Sequence, residues 1–135
     1  MPPPEGYVPV TRRSPFLDLV GPLWVRNVSG EGVAEYGFRV EQKHANGRGA
    51  AHGGILMTVA DLVLGYGAAF SQDPPLRLMT ASISVDFAGS AQVGDWVSGR
   101  ADIQRIGRTL AFVNAYLSVG ERRILRASSV FTVAS

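Results

Sequence analysis

One carboxylate interrupts the longest apolar stretch of the chain: Asp61 follows Met57, Thr58, Val59 and Ala60 and precedes Leu62, Val63 and Leu64. An ionised carboxylate among apolar neighbours costs several kcal/mol or shifts its pKa upward, and such acids gather at functional sites. Two readings of Asp61 stand. It is an acid held for chemistry, or it lies on a narrow exposed stripe or pairs with an arginine. At the start of the same stretch stands His52-Gly53-Gly54. Free backbone N–H groups and the helix dipole make such a helix start suited to developing negative charge, and glycine permits close approach. The alternative is that the glycines only answer a steric need and the histidine packs in the core. Gly53 and Asp61 are eight residues apart, so roughly 12 Å of helix would separate donor from acid, too far to hold one carbonyl together. Two such helices lying antiparallel across a two-fold axis would bring the start of one near the carboxylate of the other, giving two composite sites per dimer.

Other chemistries are narrowed by composition. The chain has no cysteine, so disulfides, thiolate metal sites and thiol nucleophiles are excluded together. His44 and His52 are the only histidines, so a metal site would need carboxylates for most of its ligands, and no metal is expected. The net charge is +2, from twelve arginines and Lys43 scattered along the chain against the acids. No helix-turn-helix, zinc knuckle or RNP-like pattern accompanies them, and nucleic acid is not an expected partner. The stretch 55–70, broken by Asp61, Gly65 and Gly67, falls short of the ~20 apolar residues a membrane span needs. The chain begins Met-Pro-Pro-Pro-Glu without a basic or apolar leader, so a cytoplasmic location and no membrane partner are the expectation.

The elements that would position these residues follow from pattern. With 135 residues, 46% apolar and 18% charged, one folded domain is expected. Residues 1–14 carry four of the eight prolines and no periodicity, and read as an irregular arm. Ser14-Pro15 has the cap-then-proline start of a short helix ending near Gly21-Pro22. The division is therefore an arm with a short helix, 1–20, and a single domain, 21–135. Runs 23–28 and 33–40, separated by Ser29-Gly30-Glu31-Gly32, form a hairpin pattern. A polar segment with Asn46-Gly47 and Gly49 as turn residues then leads into the long apolar helix, which should be enclosed on several faces. Gln72-Asp73-Pro74-Pro75 breaks the chain, and runs 80–87, 96–106, 109–119 and 123–133 are of strand length. The class is α+β: one long helix wrapped by an antiparallel sheet, with a dimer covering what one sheet leaves open.

The run from Asn46 through Arg48, His52-Gly53-Gly54 and on to Asp61 resembles the hotdog-fold acyl-CoA thioesterases, in the branch that includes the phenylacetate-degradation enzymes. The resemblance spans roughly residues 20–133. It implies a long helix in a curved antiparallel sheet, a dimer as active unit and in many members a dimer of dimers, acyl-CoA as substrate and no separate cofactor. Residue by residue, it implies Asp61 as the acid that activates water or attacks the carbonyl, and the Gly53 N–H as the group that polarises the thioester. It makes Asn46 an orienting residue, His52 a support for the oxyanion loop, and Thr80 a hydroxyl that helps hold the water, with Ser82 as rival. Arg105 and Arg108, beside the Gly107 turn, match the basic residues that hold the nucleotide end of coenzyme A, for which the arginine fork is suited.

Hydrolysis of an aryl or medium-chain acyl-CoA to acid and CoA is the reading adopted, with Gly54, Leu62, Gly65, Tyr66 and Ile83 beside the substrate. A non-catalytic acyl-CoA-binding module is the alternative, since fold does not fix function, but a pure binder has no need of an acid beside the thioester. An enoyl-CoA hydratase fits less well, because that branch arranges Asp and His differently.

Overall fold

Ser14 and Pro15 open the first helix as their types require. In the structure, a computed structural model that describes residues 1–27 and 33–134, helix α1 (Pro15–Val20) begins with Ser14 Oγ accepting from the Leu17 N–H at 3.1 Å. Proline in the first turn forfeits only an N–H that has no helical partner. The helix ends at Gly21, whose N–H returns to the Leu17 carbonyl. Strands β2 (Trp24–Arg26) and β3 (Glu35–Arg39) pair antiparallel, as the hairpin pattern implied. The turn expected at Ser29 to Gly32 lies outside the described residues.

The irregular arm is corrected in one place. Strand β1 (Val8–Pro9) pairs antiparallel with Val25 and Trp24, and the Val10 N–H donates to the Leu23 carbonyl at 2.9 Å. Tyr7 anchors this segment. Its ring is buried edge-on against Trp96 at 4.9 Å, and its hydroxyl donates to Glu35, which also accepts from Arg26. A proline is tolerated because β1 is the sheet edge, where a missing N–H breaks no ladder.

Four long strands complete one open sheet: β4 (Leu78–Phe87), β5 (Trp96–Ile106), β6 (Leu110–Val119) and β7 (Arg122–Val133). The seven strands are all antiparallel, in the order β1-β2-β3-β5-β6-β7-β4. Across this sheet lies α2 (Gly53–Ala69), an unbroken helix of 17 residues. This is the hotdog arrangement that the sequence implied. Among the described residues no helix is long and apolar enough to cross a membrane.

One sheet covers only one side of α2. Ile55, Leu56, Val59, Ala60, Val63 and Leu64 are buried against the strands. The opposite stripe, from Gly54 and Met57 through Asp61 and Leu62 to Tyr66, stays partly or fully exposed, with Met57 at 40%. The enclosure expected from the apolar composition is thus not reached within a single chain.

Close approach of helix to sheet is set by Gly67, where a Cβ would lie 2.5 Å from Ala101 Cβ. At Gly65 a Cβ would meet only the Phe131 ring at 3.6 Å, an ordinary contact. Gly67→Ala is therefore expected to lower stability by ~1–3 kcal/mol through overpacking, although alanine is the better helix former. Gly65→Ala should change it by less than ~1 kcal/mol. Urea unfolding of the two variants checks this, and equal midpoints would mean that α2 stands farther from β5.

Candidate active site

The segment before α2 is held by two histidines that both accept hydrogen bonds from backbone. His44 ends a single 3-10 turn (Gln42–His44), is buried, and takes the Glu41 N–H on its Nδ1 at 2.9 Å. An accepting Nδ1 carries no proton, so Nε2 carries it and donates to the Val20 carbonyl at the end of α1. The His44 carbonyl then accepts the His52 N–H at 2.8 Å. One buried ring therefore ties α1 to the start of α2.

Between them, Asn46 folds the loop on itself. Its Oδ1 accepts from the N–H groups of Arg48 at 2.8 Å and Ala50 at 3.2 Å, a side-chain-closed turn completed by Gly49 at φ +78. Both neighbours are backbone donors, so the carboxamide oxygen faces them and the amide NH2 remains for a ligand. Asn46 can thus offer a donor to a carbonyl or a water.

His52 caps α2. Its Nδ1 accepts the Gly54 N–H at 3.0 Å, and its carbonyl accepts from Ile55 at 3.1 Å and Leu56 at 3.3 Å. The Gly54 N–H is therefore occupied by the cap and is not offered to substrate. In the first turn, the Gly53 N–H alone has no partner among the described residues. A Cβ there would stand 3.4 Å from the Phe87 ring, an ordinary contact. The free N–H sits at the positive end of the helix, as an oxyanion donor should.

Asp61 is two turns further along the exposed stripe. It is half-buried in the single chain, and among the described residues it has no arginine partner. Instead the Thr80 hydroxyl donates to Asp61 Oδ1 at 2.8 Å. One carboxylate oxygen is thereby fixed and Oδ2 is left to act on a ligand. Thr80 reaches Asp61 because of a bulge in β4: Thr80 pairs with Phe131, but Ser82 pairs with Val130, so Ala81 is the extra residue. The bulge resets the alternation. Thr80 shares the helix-facing side with buried Phe131, whereas Ser82 and Ser84 share the outer face with Ser128 and Val130. The rival hydroxyl at Ser82 therefore points away from Asp61.

Asp61 and Thr80 open onto a cavity of 570 Å³ lined also by Leu62, Gly65, Tyr66 and Phe131. Of the expected neighbours, Ile83 does not line it and packs against the core instead. Arg12 and Arg77 line it as well. Sequence reasoning passed over both: Arg77, three residues before Thr80, carried a usable signal, but nothing among twelve scattered arginines marks Arg12. Arg105 and Arg108 are exposed at the β5–β6 turn and do not reach the cavity. They occupy the same end of the sheet: Leu78 pairs with Val133, whose N–H donates to Thr109, two strand spacings or about 10 Å away. Among the described residues no group of three or more Asp, Glu or His side chains converges as metal ligands.

What one chain does not bring together is the donor and the acid. Gly53, Asn46 and His52 stand at the start of α2, and Asp61 and Thr80 stand eight helical residues on, about 12 Å away.

With this geometry in place, likeness to known proteins is informative. The profile of the thioesterase superfamily matches residues 48–125. A proposed esterase of Pseudomonas aeruginosa, PA0474, is 43% identical over 128 residues, covering 95% of each chain. A hypothetical thioesterase of Streptococcus pneumoniae, solved with coenzyme A, superposes with a TM-score of 0.74 at 21% identity, covering 84% of this chain and 89% of its own. The PaaI protein of the E. coli phenylacetic acid degradation operon does so with 0.78 at 17% identity, covering 90% and 86%. These two share the fold. The match of the superfamily profile to more than half the chain, together with the near full-length relative, places this protein in the thioesterase superfamily.

Proposed function

We propose that this protein hydrolyses acyl-CoA thioesters, with aryl or medium-chain acyl groups, to the free acid and CoA. The observation that carries the reading is the Asp61–Thr80 pair, a carboxylate with one oxygen fixed and one free, facing a 570 Å³ cavity on an otherwise apolar helix stripe. Thioesterase neighbours support it. One is solved with coenzyme A, and that same protein is also solved with an aspartate or a threonine replaced by alanine.

The chemistry needs only the protein and water. The thioester carbonyl accepts from the Gly53 N–H, with the Asn46 amide as second donor, and the negative charge that forms on oxygen is met by the helix start. Asp61 Oδ2 either takes a proton from water as the water adds to the carbonyl carbon, or adds itself and is released by water. The C–S bond then breaks and the thiolate leaves as CoA. An oxyanion donor of this kind is worth ~3 kcal/mol, and general-base help a further 10²–10⁴-fold.

Because the acid and the donor are ~12 Å apart in one chain, each site in this reading takes Asp61 and Thr80 from one subunit and Gly53 and Asn46 of the partner subunit. The open stripe on α2 and the exposed edge strand β4, with Met79 at 72%, are the surfaces such a homodimer would cover. Dimers of this kind would pair further into tetramers.

Thiol release from a panel of acyl-CoA esters tests the activity. Asp61→Asn is expected to lower kcat by 10²-fold or more with an unchanged circular dichroism spectrum. A variant that keeps near-full turnover would remove Asp61 from the chemistry, and tight acyl-CoA binding by wild type without any release would favour the binding module.

Shared sites are tested by complementation. Gly53→Pro deletes the N–H yet suits the first helical position, since His52 already has φ −62 and ψ 142, as a residue before proline should. Mixed with Asp61→Asn and allowed to exchange, half of the dimers are mixed and one of their two sites is intact, so about a quarter of wild-type activity should return. Verified heterodimers with no activity would overturn the shared site.

Removal of Arg105 and Arg108 is expected to raise KM for acyl-CoA several-fold with little change in kcat, the signature of lost uniform binding. Pantetheine thioesters, which lack the nucleotide phosphates, should not feel these changes. An equal effect on both substrates would exclude contact with the phosphates.

A further inference from the structure

A second cavity, of 330 Å³, adjoins the first beneath the N-terminal arm. Its walls include Val8, Val10, Val25, Ala34, Tyr36 and Phe70, and it shares Arg12, Tyr66 and Phe70 with the cavity at Asp61. We propose that these two spaces form one acyl tunnel, that the acyl chain runs from Asp61 past Tyr66 and Phe70 under the arm, and that the protein accepts long acyl chains. The proposal rests on the thioesterase reading above and extends its acyl range from aryl and medium-chain groups to long chains.

Three observations carry it. The first is direction. Asp61, Leu62, Gly65, Tyr66, Ala69 and Phe70 all line the first cavity in a stripe along α2 and just past its end, so that cavity runs parallel to the helix and ends where the second begins. The second is length. Asp61 and Phe70 are nine residues apart, about 13 Å along the axis and roughly the reach of a ten-carbon chain. Shorter chains stop inside the first cavity, and longer ones must enter the second. At roughly 30 Å³ per small group, the second cavity has room for about ten more carbons.

The third is the nature of the wall. Its outer side is built by backbone pairing, with Val8 opposite Val25 and the Val10 N–H bonded to the Leu23 carbonyl, so the arm forms a fixed side of the space. Tyr36 presents a ring 6.0 Å from Tyr66, which in turn meets Phe70 at 5.9 Å, giving an aromatic waist between the two spaces. Burial pushes the Tyr36 hydroxyl up to about 12, so it carries no charge at neutral pH. Thr11, Arg12 and Asn27 also line the space, but valines, an alanine and uncharged aromatic rings make up most of its wall and suit a hydrocarbon tail.

The test compares octanoyl-CoA with tetradecanoyl-CoA, each below its micellar concentration, on wild type, Ala34→Phe and Val8→Trp. Both substitutions add bulk to the second cavity, and Val8, 57% exposed, lies outside the core, so Val8→Trp keeps the fold if Ala34→Phe does not. Wild type is expected to hydrolyse the longer ester with kcat/KM at least equal to that for the shorter. Both variants should lose tenfold or more on the longer ester and less than twofold on the shorter. Wild type active on octanoyl-CoA but inactive on tetradecanoyl-CoA would overturn the tunnel and leave the thioesterase reading intact. Equal losses on both esters would overturn it too. Failure of wild type to release thiol from any ester would instead strike the thioesterase reading, and the tunnel with it.

Discussion

An unbroken helix is a ruler, and α2 sets the spacing on which the whole site depends. From Gly53 to Ala69 it is continuous, so the N–H at its start that has no partner among the described residues and the carboxylate on its open stripe are held about 12 Å apart. A carbonyl and the atom that attacks it must come within about 3 Å. In the proposed reading the same helix therefore supplies both halves of a site and keeps them from meeting in one chain. The unsatisfied surfaces of the fold run along the same side: the open stripe of α2, and the ten-residue edge strand β4 with Met79 and Phe87 exposed. A long apolar edge is a hazard unless something pairs with it. In the proposed dimer, the requirement of the chemistry and the requirement of the edge are met by one partner.

Within a chain, the corresponding constraint is the single extra residue at Ala81. Strict alternation along residues 80–87 places Thr80 with Ser82 and Ser84 on one face. The other face then carries Ala81, Ile83 and Val85. The bulge lets Thr80 turn to the helix while Ile83 and Val85 keep their places against the core. A slip of the whole strand would have carried every apolar residue to the wrong side; a bulge moves only what lies before it. Thr80 thus reaches Asp61 at the cost of one unpaired residue, at the end of the strand where the cavity opens.

What could be read in the sequence was what local chemistry decides. Ser14-Pro15 fixed a helix start, His52-Gly53-Gly54 another, and each strand of the β5–β6–β7 run was bounded by its own turn residues. The segment Val8–Pro9 was missed because its pairing partner lies some sixteen residues away in β2, and two residues carry no periodicity. The Asp61 site was legible as a spacing, but its depth was not. Composition left open whether Asp61 was an acid held for chemistry or part of an exposed stripe, and in one chain it stands half-buried on the open stripe of α2. Ser82 could be set aside only once register was known. Arg12, at the meeting of the two cavities, has no sequence signature because cavities are made by elements distant in sequence.

The loop that presents the Gly53 N–H depends on an accepting Nδ1 in each of its two histidines. Nδ1 of His44 faces the Glu41 N–H, and Nδ1 of His52 faces the Gly54 N–H. A proton on either Nδ1 would set donor against donor and cost the bond it replaces. At His52 the consequence is specific. While Nδ1 holds the Gly54 N–H, the first turn of α2 has a single unclaimed donor, at Gly53, and that donor has one direction. Releasing Gly54 would leave two competing N–H groups and a looser start to the helix. In the proposed reaction His52 would therefore act without touching the substrate, by occupying the Gly54 N–H and leaving Gly53 as the one donor of the first turn, beside the Asn46 amide.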